Sequence, residues 1–538
     1  MEADQKKDGR NDEPAPADFE KAMDAAGFGL FNFLLLSICT IAAFSTVFET
    51  STMSYILPIA ECDLEMTLFE KGSLNAATYA GMISSAIIWG YLADTLGRRK
   101  ILLYGYLADA VCVISSSLTQ NFKMLVAFKF VGGFIVNGPG AVLFTYLTEM
   151  HSAEHRPRVV MIIGMMNSIA LLCLPLLAFA IFPRDWDFVI FDSLKVHSWQ
   201  IFLAVCGLPS LLSGLCFILL PESPKFLMSQ GRNGEALREF QKIYAINTKM
   251  PKASFPITEL VEEVPSRYTN VNEHVFTVEN TPVKPKFKRE SRTFSQAFRE
   301  GMQQIKPLFR KPLLGYAVHF FALQFCILLG MNTIRLWLPQ LFAAITEYEA
   351  LSTTEEGSGS LCTILEYSAN KTMDIANVKD SCSNGRPNYS MELYINNIIV
   401  AGAGFVGYFF AGAIVRALGP KRLLTLGLSL SAFLAIGLYW SVNGLSTLII
   451  ASAFQTIVSV STSCLLGVVI ALIPTSLRSL VVAVAMMFGR MGALSGNILF
   501  PIFIEMGCIQ PFLMVGVVLF VASALSSILP STKGVALQ

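Results

Sequence analysis

Gly90-Tyr-Leu-Ala-Asp94-Thr-Leu-Gly97-Arg98-Arg99-Lys100 is a short polar turn between two long apolar segments. It packs one carboxylate, one helix-ending glycine and three cations into a single turn. Hydrocarbon does not tolerate such a cluster, so the turn marks a membrane surface, and its excess of Arg and Lys marks the cytoplasmic one.

The rest of the chain fits that reading. Of 538 residues, 53% are hydrophobic and 15% are charged, against about a quarter charged in a soluble protein. Mean hydropathy is +0.55. Apolar runs of about 20 residues recur along the whole length, as membrane-crossing helices require. Twelve spans are expected, near 28–48, 73–93, 101–119, 123–147, 158–182, 201–220, 313–345, 392–415, 421–440, 446–473, 480–504 and 511–529. This is an all-α membrane protein with two six-helix bundles, 28–220 and 313–529, a tail at 1–27, a linker at 221–312 and a tail at 530–538. Basic residues gather on one side: Lys284 to Arg289 in the linker, Arg156 and Arg158, Lys421 and Arg422, and Arg478. Both tails and the linker are therefore expected in the cytoplasm. Residues 1–27 have no apolar core, so the first span is expected to act as its own insertion signal.

The loop 346–391 falls on the opposite side. It holds both glycosylation sequons, Asn370-Lys-Thr372 and Asn388-Tyr-Ser390. Cys362 and Cys382 lie there too, and an oxidising compartment permits a disulfide between them; two unpaired thiols are the alternative. Within the linker, Leu237, Phe240 and Ile243 share one face of an expected helix at 235–243, while composition predicts disorder around 251–290.

Near-zero net charge removes a nucleic-acid signal. No nucleotide-binding, metal-ligating or catalytic spacing occurs, so no cofactor, metal site or enzymatic activity is expected. The two halves echo one another. Gly90-x-x-x-Asp94-x-x-Gly97-x-Arg99-Lys100 follows span two, and Gly412-x-x-x-Arg416-x-x-Gly419-x-Lys421-Arg422 follows span eight, with the acid replaced. Pro221-Glu-Ser-Pro-Lys225 ends span six as Pro530-Ser-Thr-Lys-Gly534 ends span twelve. Parallel repeats joined by a cytoplasmic linker are one design of secondary transporter, with the solute site between the halves.

Ionisable groups inside spans mark function by default. Glu49, Asp109, Arg335 and Arg490 are the candidates, with Arg490 first because a guanidinium keeps its charge and needs a partner or an anionic ligand. A structural pair with Asp109 or Glu49 is the competing reading. Lys123 and Lys129 are expected to snorkel to the outer interface. Asn137, Asn167, Gln324, Asn332, Asn396, Asn397, Gln455 and Asn497 complete a polar set suited to a small organic solute, unless they only bond neighbouring helices. Asp109 and Glu49 are the candidates for proton coupling.

The Gly90–Lys100 turn resembles the signature of the major facilitator superfamily, and Pro221–Leu227 looks like the sugar-porter branch. Lys71-Gly72-Ser, Phe130-Val-Gly-Gly133, Tyr146-Leu-Thr-Glu149, Leu336-Trp337-Leu338-Pro339 and Gly489-Arg490-Met-Gly492 are similar to the synaptic vesicle glycoprotein 2 family, in the form of a short, insect-type member. Ala471 departs from that pattern where sugar porters keep a glutamate. The resemblance implies a cytoplasmic latch of Gly90, Asp94, Gly97, Arg98, Arg99, Glu149, Arg158 and Glu222, with Asp94 facing the start of span eleven near Arg478. It implies alternating-access transport of a sugar or organic ion, in the plasma membrane or a vesicle membrane. The alternative is a transporter-fold binding or trafficking protein without substantial flux.

Overall fold

The computed structural model describes residues 16–184, 186–190, 194–261, 313–351, 360–372, 382, 391–472 and 475–530. Among the described residues, eleven helices are long and apolar enough to cross a membrane. The twelfth span, Arg98–Ser116, falls outside that set because it opens on three cations and carries Asp109 in its middle. In chain order the spans are Leu30–Ile59, Leu68–Leu96, Arg98–Ser116, Phe122–Glu149, Arg156–Ile181 and Ser198–Cys216, then Leu313–Leu351, Met391–Leu418, Pro420–Gly437, Gly444–Leu472, Thr475–Met506 and Ile509–Ile528.

Local chemistry explains several boundaries. Thr67 and Glu70 form a reciprocal cap that starts span two: the Glu70 carboxylate accepts from the Thr67 N–H at 2.9 Å, and the Thr67 hydroxyl accepts from the Glu70 N–H. Asn121 caps span four through the Met124 N–H. Span six breaks at Gly207, just before Pro209, into two straight pieces. The largest departure from expectation is span one, which runs past 48 to Ile59. Glu49 does not end it, because that carboxylate is buried and paired rather than solvated.

The spans pack as two bundles whose contacts mirror each other. Span two packs on span eleven, and span five packs on span eight. Exchanging the halves converts one pair into the other. Spans one and seven pack on each other across the same seam. Three polar features sit at the end where spans one and two meet. A two-stranded hairpin pairs Asp187–Ile190 with Leu194–His197, a feature composition did not suggest. Trp199 donates its indole N–H to Asp63, and Lys71 pairs with Glu61 at 2.6 Å in a buried contact.

At the other end, the linker opens on the short helix Pro224–Ser229 and continues as the helix Asn233–Thr248, longer than the expected 235–243, with Ala236, Phe240 and Ile243 buried. Phe240 packs against Phe19 of the helix Phe19–Ala26 and against Phe255. Residues 251–261 are ordered, contrary to the disorder expected from composition. Burying Phe255 and Leu260 overcomes the polar sequence, and Ala17 bridges to Leu260. Residues 262–290 lie outside the described residues.

Candidate functional site

The turn from span two into span three forms a cage at the basic end of the first bundle. Gly97 has φ +94°, and a Cβ there would meet Glu222 Oε2 at 2.5 Å. The glycine therefore serves both the backbone turn and the approach of the carboxylate. Glu222 Oε1 accepts from the backbone N–H groups of Arg99 and Ser223, each at 3.0 Å. Burial pushes the Glu222 carboxyl above its ordinary range, and these donors together with the Arg98 charge partly offset that. Arg98 pairs with Glu149 at 3.4 Å and lies over the Phe226 ring. Ser223 donates to the same Glu149 oxygen, Oε2, at 2.6 Å. Arg99 donates to the carbonyls of Phe217 and Ile218.

Of the expected latch residues, Gly97, Arg98, Arg99, Glu149 and Glu222 thus come together, all within the first bundle. Arg158 does not join them; its side chain is exposed. Gly90 is exposed and meets nothing. The side chains of Asp94 and Arg478 lie outside the described residues. A cavity of about 460 Å³ opens beside this cage, between the ends of spans one, three and six and the linker helix. It belongs to the first bundle and lies away from the seam between halves.

Inside the first bundle, one buried acid meets a buried base and a second meets a hydroxyl. Glu49 accepts from Lys129 at 2.9 Å, and both side chains are almost fully buried. Gly132 makes room for the carboxylate, since a Cβ there would meet Glu49 Oε1 at 2.5 Å. Lys129 therefore does not snorkel to the interface as expected. Two turns into span four it meets the buried Glu49, whose charge would be costly to leave unpaired. Lys123 is exposed, as a snorkelling lysine should be. Asp109 is fully buried and accepts from Ser210 at 2.5 Å. Neither Glu49 nor Asp109 pairs with Arg490, which removes the structural pairing weighed above.

Arg490 crosses the seam instead, donating to the side-chain oxygen of Asn137 on span four. Asn137 in turn donates to the Met82 carbonyl at 2.9 Å and the Ser85 hydroxyl at 3.0 Å. A second polar bridge forms from Tyr79 on span two, whose hydroxyl donates to Asn332 Oδ1 on span seven at 3.1 Å. Arg335 donates to the same Asn332 oxygen at 2.6 Å and reaches the Tyr79 oxygen at 3.3 Å. Four expected residues thus meet at mid-helix: Asn137, Asn332, Arg335 and Arg490. The remainder do not. Asn497 and Asn397 donate to their own helix backbone, Gln324 reaches the Met486 sulfur, and Gln455 reaches Ser459 on its own helix. Asn167 and Asn396 are half-buried. A Cβ at Gly402 or Gly404 would meet nothing within 4 Å, so neither glycine is required for a close helix approach.

Tyr79, Ser85 and Ser210 are not legible in the sequence, and the pairing of Lys129 is missed there. A tyrosine or serine in an apolar run carries no sign of its role, whereas Lys129 could have been found as the cation seven residues past the start of span four, near the depth of Glu49.

The cysteines correct one expectation. Cys362 and Cys382 do not pair with each other. Cys382 is bonded to Cys62, between spans one and two, and Cys362 to Cys508, between spans eleven and twelve. Packing draws these loops together at one end, so closeness in sequence did not choose the partners. The first bond joins the two bundles covalently. Asn370 is exposed on the helix Leu361–Thr372 at that same end, and Asn388 lies outside the described residues.

A family model described as Major Facilitator Superfamily matches residues 39–365. Human synaptic vesicle glycoprotein 2B is 26% identical over 335 residues, covering 62% of this chain and 48% of that protein. Human synaptic vesicle glycoprotein 2A is 28% identical over 246 residues, covering 45% of this chain and 33% of that protein. The chain thus spans about half or less of the length of these relatives. Among solved structures, the xylose transporter XylE from E. coli, in a partially occluded inward open conformation, superposes with a TM-score of 0.63 at 15% identity, covering 93% of this chain and 100% of that one. A D-xylose-proton symporter structure gives 0.61 at 14% identity, covering 93% and 99%.

Proposed function

Because the chain belongs to the Major Facilitator Superfamily, we propose that it is a secondary carrier of a small polar organic solute working by alternating access. One observation carries this reading. At mid-helix the two bundles meet through breakable polar contacts, Arg490 to Asn137 and Tyr79 to Asn332 and Arg335, rather than through continuous apolar packing. A solute with hydrogen-bonding groups can replace such contacts one for one as the bundles rock.

The solved sugar transporters share the fold, and the synaptic vesicle relatives share the sequence pattern. Both support transport, and neither fixes the solute. Glu49 and Asp109 are the carboxylates available for proton coupling; each has one buried oxygen without a hydrogen-bond partner, and Asp109 is the better placed because its other oxygen meets the neutral Ser210 rather than a cation. The basic end is cytoplasmic in this reading. The two disulfides at the other end and the exposed Asn370 support that orientation, since disulfides persist in an oxidising compartment. The cage around Gly97 would be the first-bundle side of a latch closed through Asp94 and Arg478.

The test is uptake into sealed vesicles of reconstituted protein, with sugars and organic ions screened at imposed proton gradients. Saturable flux of one class supports the carrier; binding without flux overturns it. The second reading, a binding or trafficking protein on a transporter frame, draws on the Cys62–Cys382 bond. A covalent link between the bundles restrains the opening that flux at that end requires.

A further inference from the structure

The buried Glu49 and Lys129 of the first bundle cancel in place, and the cations deep in the second have no such partner among the described residues. Deep within spans seven and eleven stand two guanidiniums, Arg335 and Arg490. Neither forms a salt bridge among the described residues. Their partners are neutral: Asn137 for Arg490, Asn332 and the Tyr79 hydroxyl for Arg335. The Nε of Arg335 is buried and donates to no protein atom. Arg335 donates to Tyr79, and the Asn137 that accepts from Arg490 is itself anchored on Met82 and Ser85, so both guanidiniums are tied to one stretch of span two. The nearest buried acids are committed elsewhere, Glu49 to Lys129 and Asp109 to Ser210. Two uncompensated positive charges at membrane depth are costly, and an arginine there is normally matched by an anion.

We propose that the seam binds a small organic carboxylate, held between Arg335 and Arg490, with Tyr79 and Asn137 as neutral donors and acceptors beside it. The guanidinium fork fits a carboxylate through two parallel N–H···O bonds, which an ammonium or a neutral amide cannot reproduce. Span two sets the spacing. Arg335 touches it at Tyr79, and Arg490 reaches it through Asn137 at Met82 and Ser85, three to six residues on, or about 5–9 Å along the helix. A short dicarboxylate therefore engages both arginines, and a monocarboxylate engages one. The inference rests on the carrier reading for the seam being solute-accessible, and it narrows the solute from any polar organic molecule to an anionic one.

The test uses purified full-length protein in detergent, with thermal stabilisation by succinate titrated against its neutral diamide, succinamide, and against xylose. Saturable stabilisation by succinate alone is expected. Arg490→Gln and Arg335→Gln should each weaken it about tenfold or more, the worth of one charge-assisted contact. Arg490→Lys should recover only part of that loss. Size-exclusion profiles identify a variant that fails to fold, and the succinate–succinamide difference in the unmodified protein decides the matter without any variant. Equal stabilisation by the diamide, stabilisation by xylose alone, or none by any of the three overturns the proposal. Vesicle uptake keeps the two readings apart. Succinate binding without flux sinks the carrier and leaves the carboxylate site standing, whereas sugar flux without succinate binding does the reverse.

Discussion

The two bundles share a plan and differ in what holds them. The first is stitched by acids and bases: Glu49 with Lys129, Glu61 with Lys71, Glu149 with Arg98, and Glu222 against the backbone of Arg99. The second has one ion pair at its loop end, Lys371 with Glu347, and is otherwise stitched by hydroxyls: Ser429 with Ser523, Thr425 with Ser526, and Tyr408 with the Ser459 carbonyl. Even the repeated turn shows the difference. Gly97 and Gly419 both adopt positive φ, +94° and +81°, and both open a helix. A Cβ on Gly97 would strike Glu222, while one on Gly419 would meet nothing within 4 Å. The second half has kept the backbone of the motif and lost its carboxylate. Duplication preserved the turn because the chain cannot reverse without it, and released the side chains that the turn does not require.

The contrast breaks most readily at the buried ion pair. Lys129→Met leaves Glu49 buried without a partner and is expected to cost about 3–5 kcal/mol, with Glu49→Gln added to it restoring most of the loss. Ser429→Ala in the second bundle should cost about 1 kcal/mol or less. Unfolding midpoints of purified protein measure both, and equal losses would erase the distinction. Next come the disulfides. Removing Cys62–Cys382 or Cys362–Cys508 by paired Ser substitutions is expected to cost about 2–4 kcal/mol each. Only the first joins the bundles, so only its loss should speed maleimide labelling of a cysteine placed at Asn75, which shares a helical face with Gly72 and Tyr79. Equal labelling rates would mean that the bond does not restrain the seam.

The turn gives a finer comparison. Gly419→Ala should cost about 1 kcal/mol from backbone strain alone. Gly97→Ala adds the displacement of Glu222 from two backbone donors, for a total of about 2–3 kcal/mol. The smallest effect concerns pH. Burial pushes His151, at the basic end of the first bundle, below its ordinary value of 6.5, and the bond to the Leu147 carbonyl only partly offsets this. The unfolded chain takes up the proton first. Stability from this group is therefore complete above pH 6.5 and falls as pH drops through 6.5 toward the lower folded value. His151→Gln should flatten that slope.

The sequence made the fold legible because hydrocarbon imposes length and polarity on each span, and charge asymmetry orients them. The site was half legible. Arg335, Arg490, Asn137 and Asn332 stand out as polar groups in apolar runs, but their partners do not. Nothing in the chain distinguishes Tyr79 from any other tyrosine, nor says that Glu49 would choose Lys129 over Arg490. Those choices are made by the angle at which helices far apart in sequence cross. The cysteines held a signal that loop proximity obscured. All seven free cysteines lie in spans, while the four in loops at one end are all bonded. Location named the set, and packing alone named the pairs.

The linker's first stretch is welded to the first bundle: Asn247 clasps the Ala26 and Gly27 carbonyls, and Ala17 zips to Leu260. That stretch is thus a lever arm fixed to one half of the machine. A spectroscopic label at Lys242, paired with one at Lys421 at the head of span nine, would report the tilt between halves in angle and time without disturbing a membrane-embedded side chain.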